Sequence, residues 1–417
     1  MRFIHLSDLH LGYYPKSVDV NPGRVEGGHL GLRRVITRYT FNNFEKAIDY
    51  AIDNDIRLML IAGDIFEDVD SSLLYSKRFA EALEKLVKNE VYTVVIAGNH
   101  DAQVRRMKRA SLAMFSRDLS RYIKYIDVYS MGYLVKLSEG GGYTLELDEL
   151  DTSIVPLPYV YPGEGWTSAV REYLERSVSK ARNRYKVLLA HVQVDRIRFS
   201  EMYSDYSEEM IGIENLTLTD IRPDLFDYVA LGHIHLMQMV GTDNVYYSGS
   251  LNRLRFDEAL DRKYFLDVSL DGAPSVKPIA VKPIKMYYIN LNLGDYSSVE
   301  GIVDRVSHDA PDLEDALVKI RIFYEDRDRY KKFGDLIRKK VREHLFSGEA
   351  LGCRVEFRYS GEVSALEVGE GIDPSGLDYK TVLKAYIDSK ISRKSKDYRK
   401  RLYEKALKYF EEVGGGA

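Results

Sequence analysis

Cysteine is almost missing: Cys353 is the only one in 417 residues. An intrachain disulfide and a cysteine-built metal site are both excluded, and a reducing compartment is the natural reading. No apolar run approaches the ~20 residues needed to span a bilayer. The opening Met1-Arg2-Phe3-Ile4-His5 is too short and too soon interrupted for a secretion signal. The expected setting is the cytoplasm, without a membrane partner. Neither charge dominates: 60 Lys and Arg stand against 64 Asp and Glu, a formal net charge of −4. A uniformly basic nucleic-acid coat is excluded, a local basic groove is not. Glutamine is scarce as well, at Gln103, Gln193 and Gln238 alone, a composition of the thermophilic kind. What is present is an ordinary globular balance, 45% apolar and 30% charged. At ~150 residues per domain, this length predicts two or three folded units.

Through about residue 280, short β-branched runs alternate with helical patterns. Arg2–Leu6, 58–62, Tyr92–Ile96, 186–190 and 228–231 read as buried strands, each ending at Gly, Asp, Asn or His. Between them Phe44, Ala47, Ile48, Ala51 and Ile52 keep helical spacing, as do Phe79, Leu83, Leu86 and Val87, and later Val170, Leu174 and Val178. The alternation predicts an α/β fold with a mostly parallel sheet covered on both faces, and chemistry beyond the carboxyl ends of its strands. A proline-marked stretch (Pro274, Pro278, Pro283) is expected to part residues 1–280 from a small two-layer α/β domain at 285–360. That domain would hold strands at Lys285–Asn292, 317–324 and 354–359, and a helix striped by Phe333, Leu336, Ile337, Val341 and Leu345. A Gly/Glu/Ser-rich linker at 361–376 follows. Residues 377–413 then carry two amphipathic stripes, Tyr379, Val382, Leu383, Tyr386 and Ile387, and Leu402, Ala406, Tyr409 and Phe410.

Five of the nine histidines fall at strand ends, in Asp8-Leu9-His10, Gly98-Asn99-His100-Asp101, His191 and Gly232-His233-Ile234-His235. Gly63-Asp64 brings another carboxylate to a strand end. Any one of these alone reads as a helix cap, a turn or a core histidine. Together they supply mixed nitrogen and oxygen donors, which suit manganese, iron or zinc better than magnesium or calcium. The candidates are too many for one ion and about right for two sharing a carboxylate, at the ~3.5–4 Å spacing of two-metal phosphoesterase sites.

The ordered set Asp8-x-His10, Gly63-Asp64, Gly98-Asn99-His100-Asp101, His191, Gly232-His233-x-His235 resembles the calcineurin-like metallophosphoesterase signature. Within it, His5-Leu6-Ser7-Asp8-Leu9-His10-Leu11-Gly12, Ala62-Gly63-Asp64-Ile65-Phe66 and Ala230-Leu231-Gly232-His233-Ile234-His235 are similar to the SbcD/Mre-eleven DNA-repair nucleases. So is Tyr247-Ser248-Gly249-Ser250-Leu251-Asn252-Arg253, which resembles the loop closing that family's catalytic domain. The resemblance implies a metallophosphoesterase sandwich with helices flanking central β-sheets, a small capping domain that binds DNA, and a C-terminal helical tail. It implies two divalent ions, most simply manganese. One would be held by Asp8, His10, Asp64 and His235, the other by Asp64, Asn99, His191 and His233. His100 would steady the scissile phosphate and protonate the leaving oxygen, help worth ~10²–10⁴-fold. Asp101 would orient the His100 ring or cap a helix. There are two departures. Glu67 stands where the family has a histidine, and the segment between His10 and Asp64 is long, its excess around 20–38 carrying Arg24, Arg33, Arg34 and Arg38.

Arg105, Arg106, Lys108 and Arg109 follow the His100 loop, Arg196 and Arg198 follow His191, and Arg253 and Arg255 follow the closing loop. They are expected either to meet DNA phosphates or to be solvated surface. No base-reading motif is present, so ends, single strands and hairpins are the expected targets rather than a sequence. The basic tail resembles the family segment that docks on an SbcC/Rad-fifty-type ABC ATPase, and the family also implies a homodimer through helices near 73–87 and 110–119. The whole reading is a metal-dependent DNA exo-/endonuclease of double-strand-break repair. Its rivals are a phosphatase or cyclic-nucleotide phosphodiesterase on the same core, and a DNA-tethering scaffold with weak catalysis.

Overall fold

The first strand, β1 (Arg2–Leu6), is buried on both faces, and the architecture follows from what each face meets. The computed structural model describes residues 1–102, 122–126, 141–160, 165–198 and 216–360, with 400 and 403. After β1 come β2 (Asp19–Val20), α1 (Gly28–Asp53), β3 (Leu58–Ile61), α2 (Val69–Lys88), β4 (Tyr92–Ile96), the single turn α3 (Asn99–Ala102) and β5 (Ile123–Ile126). Phe3, Leu58 and Leu60 enter one core, while Ile4, Leu6, Met59 and Ile61 enter another with Phe44 and Ile48 of α1 and Phe79 and Leu86 of α2. Strands with apolar side chains on alternate faces, both covered, are what a parallel sheet between two layers requires. Asp68 starts α2 by accepting from the Ser71 backbone N–H at 2.7 Å, and Lys85 and Lys88 sit at its negative end.

A second set follows: β6 (Leu145–Leu147), β7 (Thr152–Leu157), α4 (Trp166–Lys180), β8 (Tyr185–His191), β9 (Tyr228–Gly232), β10 (Gln238–Met239), β11 (Val245–Tyr247), β12 (Tyr264–Ser269) and β13 (Ser275–Ala280). One six-stranded sheet runs β13-β12-β1-β3-β4-β5 and another β10-β11-β9-β8-β7-β6. β1, β3, β4 and β5 are mutually parallel, as are β7, β8, β9 and β11; antiparallel strands close the edges at β12–β13, β6 and β10. Phe3, Leu60 and Val94 of the first sheet share a core with Leu188, Ala230 and Leu231 of the second. This two-sheet sandwich is the arrangement that the resemblance implies. The proline-marked stretch is not a plain connector, because Ser275–Ala280 pairs along β12 as an edge strand, with Pro278 opposite Leu266. Proline is tolerated there since an edge strand has one side without ladder bonds.

The last set comprises β14 (Lys285–Asn292), α5 (Val299–Asp309), β15 (Ala316–Tyr324), α6 (Arg327–Ser347) and β16 (Gly352–Tyr359). Their sheet runs β14-β15-β16-β2, so its fourth strand comes from the long segment near the amino terminus. Gly352 and Cys353 pair with Val20 and Asp19. Val18, Val25, Leu32 and Ile36 from that segment share a core with Ile284, Met286, Leu317 and Leu351. Asn21 ties it further, donating to the carbonyls of Phe346 at 3.1 Å and Ala350 at 2.9 Å. In α6 the stripe is narrower than the spacing suggests: Ile337, Val341 and Leu345 are buried, but Leu336 is 44% exposed. Contacts gather Met1–Phe323 and Arg327–Arg358 into one unit, which carries every described candidate site residue. Among the described residues no helix is long and apolar enough to cross a membrane.

Candidate metal centre

Five strands deliver the site. Beyond β1 lie Asp8 and His10, beyond β3 Asp64, beyond β4 Asn99 and His100, while β8 ends in His191 and β9 runs into His233 and His235. The turns are sharp enough that Asp8, His10, Asp64 and His233 all take left-handed backbone conformations, with φ of 52°, 43°, 53° and 98°. Strain of this kind persists only where neighbours over-determine it. Here backbone bonds do so: Asp8 N–H donates to Gly63 O and His10 N–H to Asp64 O, both at 3.0 Å. Gly98 is obligatory, because a Cβ there would collide with the Asp64 carboxylate.

Side chains converge in two groups, Asp8 with His10 and His235, and Asp64 with His191 and His233. One oxygen of Asp64 stands between them, 3.5 Å from His10 Nε2 and 3.4 Å from His191 Nε2. Asn99 Oδ1 lies 3.0 Å from both His191 Nε2 and His233 Nδ1. All seven expected ligands are thus brought together. His10 Nε2 is buried without a hydrogen-bond partner, which in a protein interior signals an unfilled role. A nitrogen lone pair left over among imidazoles and carboxylates fits a divalent transition ion.

Three of the rings are aimed from behind. Nδ1 of His191 donates to Ala62 O at 2.7 Å, that of His10 to Glu67 Oε2 at 2.9 Å and that of His235 to Glu258 Oε1 at 3.0 Å. A partner on Nδ1 fixes the tautomer and leaves Nε2 to coordinate. Burial alone would pull His191 down, but the Asp64 carboxylate outweighs it and pushes the imidazole up to about 9. Burial and then His191 push His233 down to about 3. Burial opposes ionisation of Asp64, yet His191, His100 and His10 hold it well below the usual carboxylate range.

His100 edges onto His10 with centroids 4.6 Å apart, and its Nδ1 donates to the Glu67 carbonyl at 2.9 Å. His10, Glu67 and His100 form a third group with metal-like spacing, but its Nδ1 atoms are already bonded to Glu67, so it is knit together rather than open. Asp101 accepts the backbone N–H groups of Ile65, Phe66 and Gly98 at 3.0–3.1 Å. It staples the Asp64 loop to the Asn99 loop. Burial and then Asp64 push it up to about 6.

The basic candidates divide. Arg253 turns inward, donating to the carbonyls of Asp261 and Ile284 at 3.0–3.2 Å, so its work is structural. Arg255 contacts Asp257 at 3.2 Å and lines a cavity beside Glu67. Arg196 and Arg198 are exposed past the end of β8. Arg105, Arg106, Lys108 and Arg109, and the tail residues Tyr379, Val382, Leu383, Tyr386, Ile387, Leu402, Ala406, Tyr409 and Phe410, lie outside the described residues. Within the long segment, Arg33 holds Gly12 O at 2.7 Å and Ser71, and Arg24 pairs with Asp315 at 2.9 Å. Sequence reasoning missed Glu258, its buried partner Lys263, and Tyr159, whose ring stacks on His233 at 6.3 Å. Nothing local marks them.

The model for the calcineurin-like phosphoesterase family matches residues 1–237. The DNA double-strand break repair protein Mre11 of Aeropyrum pernix is similar, 24% identical over 310 residues, 73% of this chain and 66% of that protein. So is the SbcD component of the nuclease SbcCD of Escherichia coli, 24% identical over 288 residues, 63% of this chain and 64% of that protein. The chain thus spans slightly less than two thirds of the length of these curated relatives. A dimetal phosphatase structure from Danio rerio is 13% identical at a TM-score of 0.37, covering 67% of this chain and 96% of that one. A family model matched across more than half the chain makes this protein a calcineurin-like phosphoesterase, and its sequence relatives include the SbcD/Mre-eleven repair proteins.

Proposed function

We propose that the chain is a DNA phosphodiesterase, an exo- or endonuclease of double-strand-break repair, working with two divalent ions, most simply manganese. The observation that carries this is the Asp64 oxygen at near-equal distance from His10 Nε2 and His191 Nε2, with a further Asp–His or His–Asn set on each side. Asp8, His10, Asp64 and His235 would hold one ion, and Asp64, Asn99, His191 and His233 the other. Bound there, divalent ions supply Lewis-acid polarisation of phosphate oxygens and acidify a water towards neutrality.

The protein's own part is positional. Glu67 and Glu258 fix two rings, Asp101 fixes two loops, and His100, 36% exposed at its side chain, has Nδ1 taken by the Glu67 carbonyl, which leaves Nε2 for the substrate. Protonated there, His100 hands its proton to the leaving sugar oxygen. The substrate class is supported by the relatives' names. A cavity of about 440 Å³ beside Glu67 brings Tyr13, Tyr14, Lys16 and Arg255 together with the carboxylates Glu67 and Asp257, and Lys319 covers the Tyr288 ring at 4.8 Å on its wall. Glu67, which left room for a scaffold with weak catalysis, has a chemical reason to be there as the partner of His10. We read 1–280 as the catalytic domain, 285–360 as a DNA-binding cap, 361–376 as a linker and 377–413 as the dock for an SbcC/Rad-fifty-type ATPase. Homodimerisation and a cytoplasmic setting belong to the same reading.

The test is cleavage of labelled single-stranded and hairpin DNA, beside a small phosphodiester, as manganese is titrated. Wild type should cut DNA only with the metal. Asp64→Ala should abolish cutting, and His100→Ala should lower it ~10²–10⁴-fold with DNA binding kept. Turnover of the small ester with DNA left intact would overturn the nuclease assignment.

A further inference from the structure

Behind the centre lies a buried ion pair, with Asp261 at 3.8 Å from its ammonium. Lys263 Nζ sits 2.6 Å from Glu258 Oε2, with the two side chains 1% and 6% exposed. The other carboxylate oxygen, Oε1, accepts from His235 Nδ1 at 3.0 Å. Lys263 also donates to the carbonyl of His235 and to Ser250 Oγ, both at 3.0 Å. One ammonium therefore grips the backbone of the histidine and the carboxylate that orients its ring. Glu258 is fixed independently by the Leu254 N–H at 3.2 Å.

The two halves of the centre are backed unequally. In the Asp8–His10–His235 half both imidazoles lean on carboxylates, Glu67 at 2.9 Å and Glu258 at 3.0 Å. In the Asp64–His191–His233 half, His191 leans on the neutral carbonyl of Ala62, and His233 turns Nδ1 inward to Asn99. A carboxylate on Nδ1–H raises the donor strength of Nε2 more than a carbonyl can, and partners of this kind are worth ~10–100-fold in metal affinity. We propose that Glu258, braced by Lys263, is a positioning residue for His235, and that with Glu67 it makes the Asp8–His10–His235 position the tighter of two unequal cation sites, filled first. This rests on the two-ion reading of the centre.

Calorimetric titration of manganese chloride into the metal-free full chain tests it, with paramagnetic resonance counting bound ions. Wild type should show two steps, the tighter lost in His235→Ala and the weaker in His191→Ala. Glu258→Gln should weaken the tighter step ~10–100-fold and leave the weaker one unchanged, and Glu67→Gln should do the same. Glu258→Gln strands the Lys263 charge, so the double variant Glu258→Gln/Lys263→Met removes both; it should stay folded, with a metal-free melting point lowered by the loss of the Lys263 bonds to His235 O and Ser250 Oγ, and still weaken the tighter step. Wild-type affinities in a folded double variant would leave Glu258 purely structural and overturn the proposal, as would equal weakening of both steps. Two indistinguishable steps in wild type overturn it without any variant. No binding at all would instead sink the two-ion reading.

Discussion

At the scale of single residues, close approach decides more than donor chemistry. Asp64 can reach both halves of the centre only because Gly98 leaves its carboxylate room and puts no side chain into the same space. Gly98→Ala must therefore displace Asp64 or the Asn99 loop. Overpacking of this size costs ~1–3 kcal/mol, and manganese affinity should fall at least about tenfold; denaturant unfolding and metal titration read the two effects separately. Unchanged metal binding would mean that the loops part freely, against the staple that Asp101 forms between them. That these donors would meet was legible in the sequence because each lies at or just past a strand end, so one local pattern marks both element and position. Glu258 and Lys263 were not legible, since their meaning comes from His235, which lies 23 residues before Glu258 and meets it only in space. Glu67 was visible as an oddity; its bond to His10 needed coordinates.

At the scale of elements, strongly apolar runs declared themselves and edges did not. β1, β3, β4, β8 and β9 are buried throughout or nearly so, which gives short, mostly apolar runs in sequence. β13 alternates exposed residues and contains Pro278, so it reads as a connector although it closes a sheet. β2 is two residues long and acquires its identity only from β16. The long segment between His10 and Asp64 is consequently structural in large part, a strap completing the third sheet. Asn21 is its key polar anchor. Replacing it by alanine takes the side-chain donor from the Ala350 carbonyl and leaves the Phe346 carbonyl with the Glu349 N–H alone, which should cost ~1–3 kcal/mol. The unfolding midpoint should move with an unchanged denaturant slope. An unmoved midpoint would show that the strap contributes through its apolar side chains alone.

At the scale of the whole molecule, two sheets pack face to face so that five parallel-strand ends open on one rim, and that rim carries the centre. The third sheet closes one side of the cavity next to it, through Tyr288 and Lys319. This arrangement turns a set of dispersed short motifs into a paired site, and the pairing across Asp64 is the central claim. Anomalous diffraction at the manganese edge, from crystals grown with the ion, tests it most directly. The account predicts two peaks ~3.5–4 Å apart, flanking Asp64, one among Asp8, His10 and His235 and the other among Asn99, His191 and His233. A single peak, or ions seated away from Asp64, would contradict it.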